Sequence, residues 1–292
     1  MVKSHETRDA VLFLLPIGIV YLGFLFGPIV GTVIISFHEY DIIAPMEFVG
    51  LENYRQLFSS ERSLGIFLTT FEITIILIVL HAVIGLVLAM AVVSLKDRYQ
   101  GVFRIIFYAP VAITTASMAI AWTFMFNYDF GVLNWALTRL GFVRIPWVVS
   151  SQYVYASIAM FSVWKFVGNA FIYYYIGLRS LPETYYEVAY IDGAGPWTRF
   201  RHVTLPLLTP TIFFVVMILC IQTVQIFDEP FFLTGGGPGD ASRTINLHVY
   251  EVAFRRYDLG MASAITVILL LLLIAFTAFQ TYFSRKWVNY DR

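Results

Sequence analysis

Residues 187–206 read EVAYIDGAGPWTRFRHVTLP, the longest polar-rich interruption in a chain that is apolar almost from end to end. Two short amphipathic helices fit this stretch. The first runs from about Glu183 to Ile191 and stops at Asp192-Gly193, because glycine tolerates the left-handed backbone that ends a helix. The second starts after Gly195-Pro196, since proline suits a first helical turn. In it Trp197, Phe200 and Val203 recur every three residues, while Arg199, Arg201 and His202 take the other side. Leu205-Pro206 then opens another apolar run. A polar insertion between two apolar segments has no core of its own, so its apolar stripe needs a partner surface.

Composition narrows the class. Of 292 residues, 59% are hydrophobic, 17% aromatic and only 13% charged, and the mean hydropathy is +0.75. A soluble domain carries about 25% charged residues, so the chain reads as an all-α, polytopic membrane protein. Its 19 basic and 19 acidic residues cancel, which removes any general case for nucleic-acid binding. Cys220 is the single cysteine and lies in an apolar run; a packed thiol is expected, and no internal disulfide. Lys3 and Arg8 precede an apolar stretch too long for a signal-peptide core, and no small-residue cleavage site follows. A single transmembrane domain over 1–292 is expected.

A span needs about 20 mostly apolar residues. Six segments reach that length, at about 10–37, 66–95, 102–126, 152–179, 207–229 and 260–284. The fourth and fifth are the least uniform, carrying Lys165, Asn169, Gln222, Gln225, Asp228 and Glu229. Basic residues in the flanks set orientation. Lys3, Arg8, Lys96, Arg98, Arg104, Arg179, Arg199, Arg201, Arg285, Lys286 and Arg292 fall on one side. Arg55, Arg62, Arg139, Arg144, Arg243, Arg255 and Arg256 are spread over longer, more acidic loops on the other. Both termini and the 183–206 region are therefore expected to face the cytoplasm.

Three other stretches invite a functional reading and mostly receive a structural one. GLENYRQLFS at 50–59 places Leu51, Tyr54, Leu57 and Phe58 on one helical face, which predicts a short helix packed on a neighbour or on the membrane surface. TGGGPGD at 234–240 is glycine-rich but has no following lysine, and the sequence contains no Gly-Lys pair. It is a turn, not a nucleotide-binding loop. The histidines at 5, 38, 81, 202 and 248 lack metal-ligand spacing, and His81 is expected to be packed and hydrogen-bonded. No metal site and no catalytic residue is expected, and no local motif supports an enzyme.

The opening stretch also has a fixed internal spacing. Glu187-Val188-Ala189, three residues, Gly193, nine residues, Val203, Thr204 and Leu205-Pro206 resemble the EAA motif of permease subunits of binding-protein-dependent ABC importers. Val188 and Val203 depart conservatively from that pattern. SLPETYYE, IDGAGPW, GLENYRQLF and FLTGGGPGDASRT are similar to the carbohydrate branch, of the maltose and glycerol-3-phosphate permease type, over about residues 10–285. The resemblance implies a type I importer permease fold of six helices. It implies a second, different permease, two ATPase subunits holding ATP and magnesium, an external solute-binding protein and a carbohydrate substrate. By the same resemblance 183–206 is the coupling element, with Glu187, Ala189, Asp192, Gly193, Gly195, Leu205 and Pro206 setting its shape.

The substrate path is expected between the spans on either side of that element. Lys165 and Asn169 lie four apart on span four, with Phe166 and Tyr173 close to their face; Gln222, Thr223, Gln225 and Ile226 make a polar strip on span five. Amides and aromatic rings are what a sugar requires. The resemblance adds Val163 and Leu219 to this set. Gln222 and Gln225 alternatively bond a partner permease, and Lys165 alternatively pairs at a helix interface. Asp228 and Glu229 read as gate or loop-anchoring residues. An anionic polyol-phosphate substrate becomes the reading if Lys165 faces the path; a secondary transporter or channel leaves the 187–206 stripe unexplained.

Overall fold

The computed structural model describes residues 2–287, with side chains described over 12–284. Helices dominate: α1 (Val2–Tyr21) and α2 (Gly27–Ile35), then a two-stranded hairpin of β1 (His38–Glu39) and β2 (Glu47–Phe48), then α3 (Glu52–Ser59) and α4 (Glu61–Val93). There follow α5 (Asp97–Ala112), α6 (Thr115–Met125), α7 (Val132–Arg139) and α8 (Val154–Arg179). The polar insertion forms α9 (Glu183–Ile191), α10 (Pro196–Arg199) and α11 (Leu205–Leu207). The chain ends with α12 (Thr209–Val224), α13 (Ile245–Phe254) and α14 (Leu259–Trp287).

Two of the wide, π-type turns lie just before prolines. Residues Leu22–Phe26 precede Pro28, and Phe200–Thr204 precede Pro206. A proline ring crowds the carbonyl four residues back and supplies no N–H to it, so the bond shifts by one residue: Gly27 N–H reaches Leu22 O and Leu205 N–H reaches Phe200 O.

Among the described residues, three helical stretches are long and apolar enough to cross a membrane: Leu12–Ile35, Glu61–Val93 and Leu259–Ser284. Two bent pairs bring the number to five, α5 with α6 at 94° and Pro196–Leu207 with α12 at 66°. The segment expected as one span over 102–126 is thus broken. Pro110 sits in the last turn of α5, and Ile113 and Thr114 are extended. The span expected over 207–229 stops at Val224, leaving 225–229 outside the regular helix. α8 has 26 residues and carries Lys165 and Asn169 in mid-helix, and it is extensively buried: a helix enclosed by others need not match lipid.

The residues fall into two compact units. One comprises residues up to Leu64 together with His248–Leu271. There Asn53 is buried and donates to Ser36 O and His38 O at 3.0 and 2.9 Å. The face expected on α3 is corrected in part: Leu57 is buried and Tyr54 half-buried, whereas Leu51 and Phe58 are exposed and Asn53 is buried in their stead, because it meets the carbonyls at the junction of α2 and β1. Asp258 caps α14 through Met261 N–H at 2.9 Å. Gly260 faces His38 O at a distance that leaves no room for a side chain.

The other unit comprises Gly65–Leu247 with the residues from Leu272 on, and α8 is its centre. Val154, Ile158 and Phe161 enter one apolar cluster with Trp122, Phe126 and Trp147. Ala170, Phe171, Tyr174 and Tyr175 enter another with Ala89, Val92, Leu208 and Val215. Small residues permit the approach. A Cβ on Gly85 would meet Ala170 Cβ at 2.8 Å, and one on Gly168 would meet Tyr108 Cα at 3.1 Å. Gln100, buried at the α4–α5 corner, accepts from Tyr175 OH at 2.7 Å and donates to Leu95 O at 2.8 Å.

Gly168→Ala should lower stability by about 1–3 kcal/mol, the usual range for overpacking, because the neighbours it would strike are backbone. Gly65, also helical, has nothing within 4 Å of an added Cβ, so Gly65→Ala should be neutral or stabilising. Thermal unfolding of the two purified variants reads the contrast, and equal shifts would count against the packing described.

Candidate functional site

α8 presents Ser162, Phe166, Asn169 and Tyr173 at intervals of four, three and four residues, one helical stripe. The first three line a cavity of about 370 Å³. Leu77 and His81 of α4 and Leu219, Gln222 and Thr223 of α12 form further walls, and the non-helical segment Gln225–Glu229 completes it. A second cavity of about 590 Å³ is lined by Tyr173, Ile172 and Asn169 with Gly101, Arg104, Ile105, Tyr108 and Ala109 of α5. Asn169 therefore borders both.

Polar atoms around the first cavity divide into those already occupied and those available. Thr223 Oγ1 donates to Leu219 O at 2.8 Å. His81 places its ring nitrogens 2.7 Å from Leu77 O and 3.1 Å from Ser162 O. Ser162 Oγ donates to Glu229 at 3.2 Å, and Glu229 is buried. Gln222 and Gln225 are exposed and Asn169 is half-buried. Amides beside the Phe166 and Phe227 rings make a surface suited to a polyhydroxylated ligand of moderate size.

The segment 225–229 is shaped by the loop after it. Thr244 Oγ1 donates to Ile226 O at 2.8 Å and Asn246 Nδ2 to Gln225 O at 2.7 Å. The glycine-rich turn closes on itself through Thr234 Oγ1 and Ser242 Oγ, 2.7 Å apart, and through the Arg243–Asp240 ion pair. Its hydroxyls are thereby spent on holding the loop.

Of the residues expected on a path, Phe166, Asn169, Leu219, Gln222, Thr223, Gln225 and Ile226 border the first cavity and Tyr173 the second. Lys165 borders neither, which corrects its placement on the path. It is 1% exposed, and its ammonium donates to Pro110 O at 2.8 Å and Val111 O at 3.0 Å. Those carbonyls lie where α5 breaks, so Lys165 caps a helix C-terminus, where a cation is favoured. Val163 also lies off the cavities. Ser162 was not singled out from the sequence, although the spacing from Phe166 and Asn169 marks it as their neighbour.

The polar insertion is a helix pair with a fixed corner. Gly193 is left-handed at φ +73°; its N–H bonds Tyr190 O at 3.0 Å, and Ala194 N–H bonds Ala189 O at 2.9 Å. These bonds form a Schellman cap, which makes Gly193 a corner residue. Tyr186 OH and Thr204 Oγ1, 3.0 Å apart, tie the two helices. Ala189 and Thr204 are buried. Glu187, Asp192 and Gly195 are exposed, and Leu205 and Pro206 are half-buried. Tyr190, Ile191 and Trp197 remain exposed at 74%, 82% and 69%.

Residues 81–289 match the family described as binding-protein-dependent transport system inner membrane component. The chain belongs to this family. It is 33% identical over 279 residues to the trehalose/maltose transport system permease protein MalF of Thermococcus litoralis, covering 94% of this chain and 93% of that one. It is 32% identical over 271 residues to the sulfoquinovosyl glycerol permease SmoG of Agrobacterium fabrum, covering 92% and 88%. The sn-glycerol-3-phosphate permease UgpA of Agrobacterium fabrum is 35% identical over 250 residues, 83% of each chain. Among solved structures, a chain of a bacterial ABC transporter involved in the import of the acidic polysaccharide alginate superposes with a TM-score of 0.87 over 99% of both chains at 22% identity. At that identity the likeness establishes the fold. The chain is thus a membrane-embedded inner-membrane component of transport systems, with the helical permease fold.

Lys165→Met removes the ammonium from the part-buried carbonyls of Pro110 and Val111, of which Pro110 O keeps the Ile113 N–H; losing bonds from a charged donor costs about 1–3 kcal/mol. The expected result is a lower unfolding temperature with the substrate concentration for half-maximal uptake unchanged. A changed half-maximal concentration at unchanged stability would put Lys165 back on the path.

Proposed function

We propose that this chain is one of two different transmembrane subunits of an ATP-driven carbohydrate importer and forms half of its translocation pathway. Six spans are assigned, with α8 as the fourth and the bent pairs as the third and fifth, in one transmembrane domain with both termini in the cytoplasm. The positive flanks support that orientation. ATP and magnesium are assigned to two partner ATPase subunits, substrate delivery to an external solute-binding protein, and no catalytic or cofactor site to this chain.

One observation carries the reading. The cavity's two principal walls, α8 and α12, flank the exposed helix pair of 183–206 in sequence. A force applied to that pair reaches both walls through a three-residue connection to α8 on one side and the 66° bend into α12 on the other. An ATPase subunit seated on Tyr190, Ile191 and Trp197 would therefore move the cavity walls as bodies when ATP closes the ATPase dimer. Glu187, Ala189, Asp192, Gly193, Gly195, Leu205 and Pro206 hold the shape of the docking pair. Phe166, Asn169, Tyr173, Leu219, Gln222, Thr223, Gln225 and Ile226 line the path. The permeases that resemble this chain are named for trehalose and maltose, sulfoquinovosyl glycerol and glycerol 3-phosphate, which supports a sugar or polyol derivative. A channel or secondary transporter, the rival reading, has no use for an exposed apolar face beside a fixed corner.

Ile191→Glu tests the docking role without disturbing a buried position. In the reconstituted complex it should abolish substrate-stimulated ATP hydrolysis while the chain still inserts; hydrolysis at the normal rate would refute the role. Purification without any ATPase or second permease, as a functional homomer, would favour the channel reading. Asn169→Ala combined with Gln225→Ala should reduce carbohydrate uptake at least about tenfold, the loss of roughly 1.4 kcal/mol, at normal complex abundance.

A further inference from the structure

The charges around the first cavity point one way, and the inference drawn from them rests on the carrier reading above. Asp228 and Glu229 both border the cavity. The cation nearest to them on α8, Lys165, holds its ammonium on Pro110 O and Val111 O and borders neither cavity. The remaining ionisable group on the wall, His81, has both ring nitrogens within bonding distance of backbone carbonyls. Arg104 borders only the second cavity, where its guanidinium lies 5.2 Å from the centre of the Tyr175 ring. The first cavity therefore offers carboxylates and amides to what enters it, and no free ammonium or guanidinium.

We propose that Asp228 and Glu229 make this half of the pathway a filter against anions, so that its cargo is an uncharged glycan. Asp228 repels a phosphate, sulfonate or uronate group at the cavity wall, and Glu229 adds to that field from its more buried place beside Ser162 Oγ. The same oxygens accept hydroxyl protons from a neutral sugar in charge-assisted bonds. Gln222, Gln225 and Asn169 bond hydroxyls without preference for charge. The placement of Lys165 matters: its charge acts on Asp228 and Glu229 from behind the wall, but its ammonium is spent on Pro110 O and Val111 O and offers no donor to a phosphorylated cargo.

The experiment reads the cavity's field without knowledge of the cargo. Gln225→Cys is made in a Cys220→Ser background of the full complex. Its thiol is then reacted with two methanethiosulfonates of similar size, one carrying trimethylammonium and one carrying sulfonate. Relative to a free thiol in solution, the rate ratio should favour the cationic reagent by at least about tenfold. It should fall back toward the free-thiol value in Asp228→Asn and in Glu229→Gln. A ratio at or below the free-thiol value, or one that neither neutral variant changes, overturns the filter. So does uptake of a phosphorylated or uronic sugar by the complex at the rate of a neutral disaccharide. A skewed ratio in a complex that imports no carbohydrate at all supports the field and counts against the carrier reading, so the two failures are distinguishable.

Discussion

A lysine ammonium enclosed by apolar helices must find acceptors or lose its charge, and the structure is arranged around the acceptors that Lys165 finds. They are the carbonyls of Pro110 and Val111, at the end of α5 where the chain turns by 94°. The bend exposes carbonyls that a continuous helix would have used, and the lysine satisfies two of them. This fixes how α8 is rotated against α5. With Lys165 turned toward that break and Gly168 against the Phe107–Tyr108 backbone, the stripe of Ser162, Phe166, Asn169 and Tyr173 is left to face the cavities. These two charge–carbonyl contacts thus separate the packed side of the helix from the side that faces the cavities.

The cavity-facing side continues in chain order. α8 ends at Arg179, the helix pair of 183–206 follows, and α12 returns to form the opposite wall. The pair's corner is held by the Schellman cap at Gly193 and the Tyr186–Thr204 contact. Its exposed apolar residues Tyr190, Ile191 and Trp197 are not buried against the rest of the chain. Exposed apolar side chains gathered on a short element mark an interaction surface. With the proposed docking on one side and cavity walls on the other, the element would act as a lever.

Much of this was legible in the sequence because it rests on local chemistry. Gly193 and Pro196 announce the ends of two helices, and the fixed spacing from Glu187 to Pro206 announces the family. The amides of α8 and α12 stand out against apolar surroundings. What was not legible depended on contacts distant in sequence. Lys165 and Asn169 share a helix face at a spacing of four, but which of them meets the cavity was decided by the break in α5, some 55 residues away. The 102–126 segment reads as one apolar run, and only the extended backbone at Ile113 and Thr114 reveals the bend. Asn53 outranks Leu51 on α3 because the carbonyls it meets, Ser36 O and His38 O, lie outside its own helix.

The account places cargo between α8 and α12 and an ATPase subunit on the 183–206 pair. A cryo-electron-microscopy reconstruction of the assembled complex with its carbohydrate bound tests both placements at once. It should show ligand density against Asn169 and Gln225, with Ile191 and Trp197 buried in a groove of the ATPase subunit. Ligand density away from the α8 and α12 walls, or a bound ATPase that leaves Ile191 and Trp197 in solvent, would contradict it.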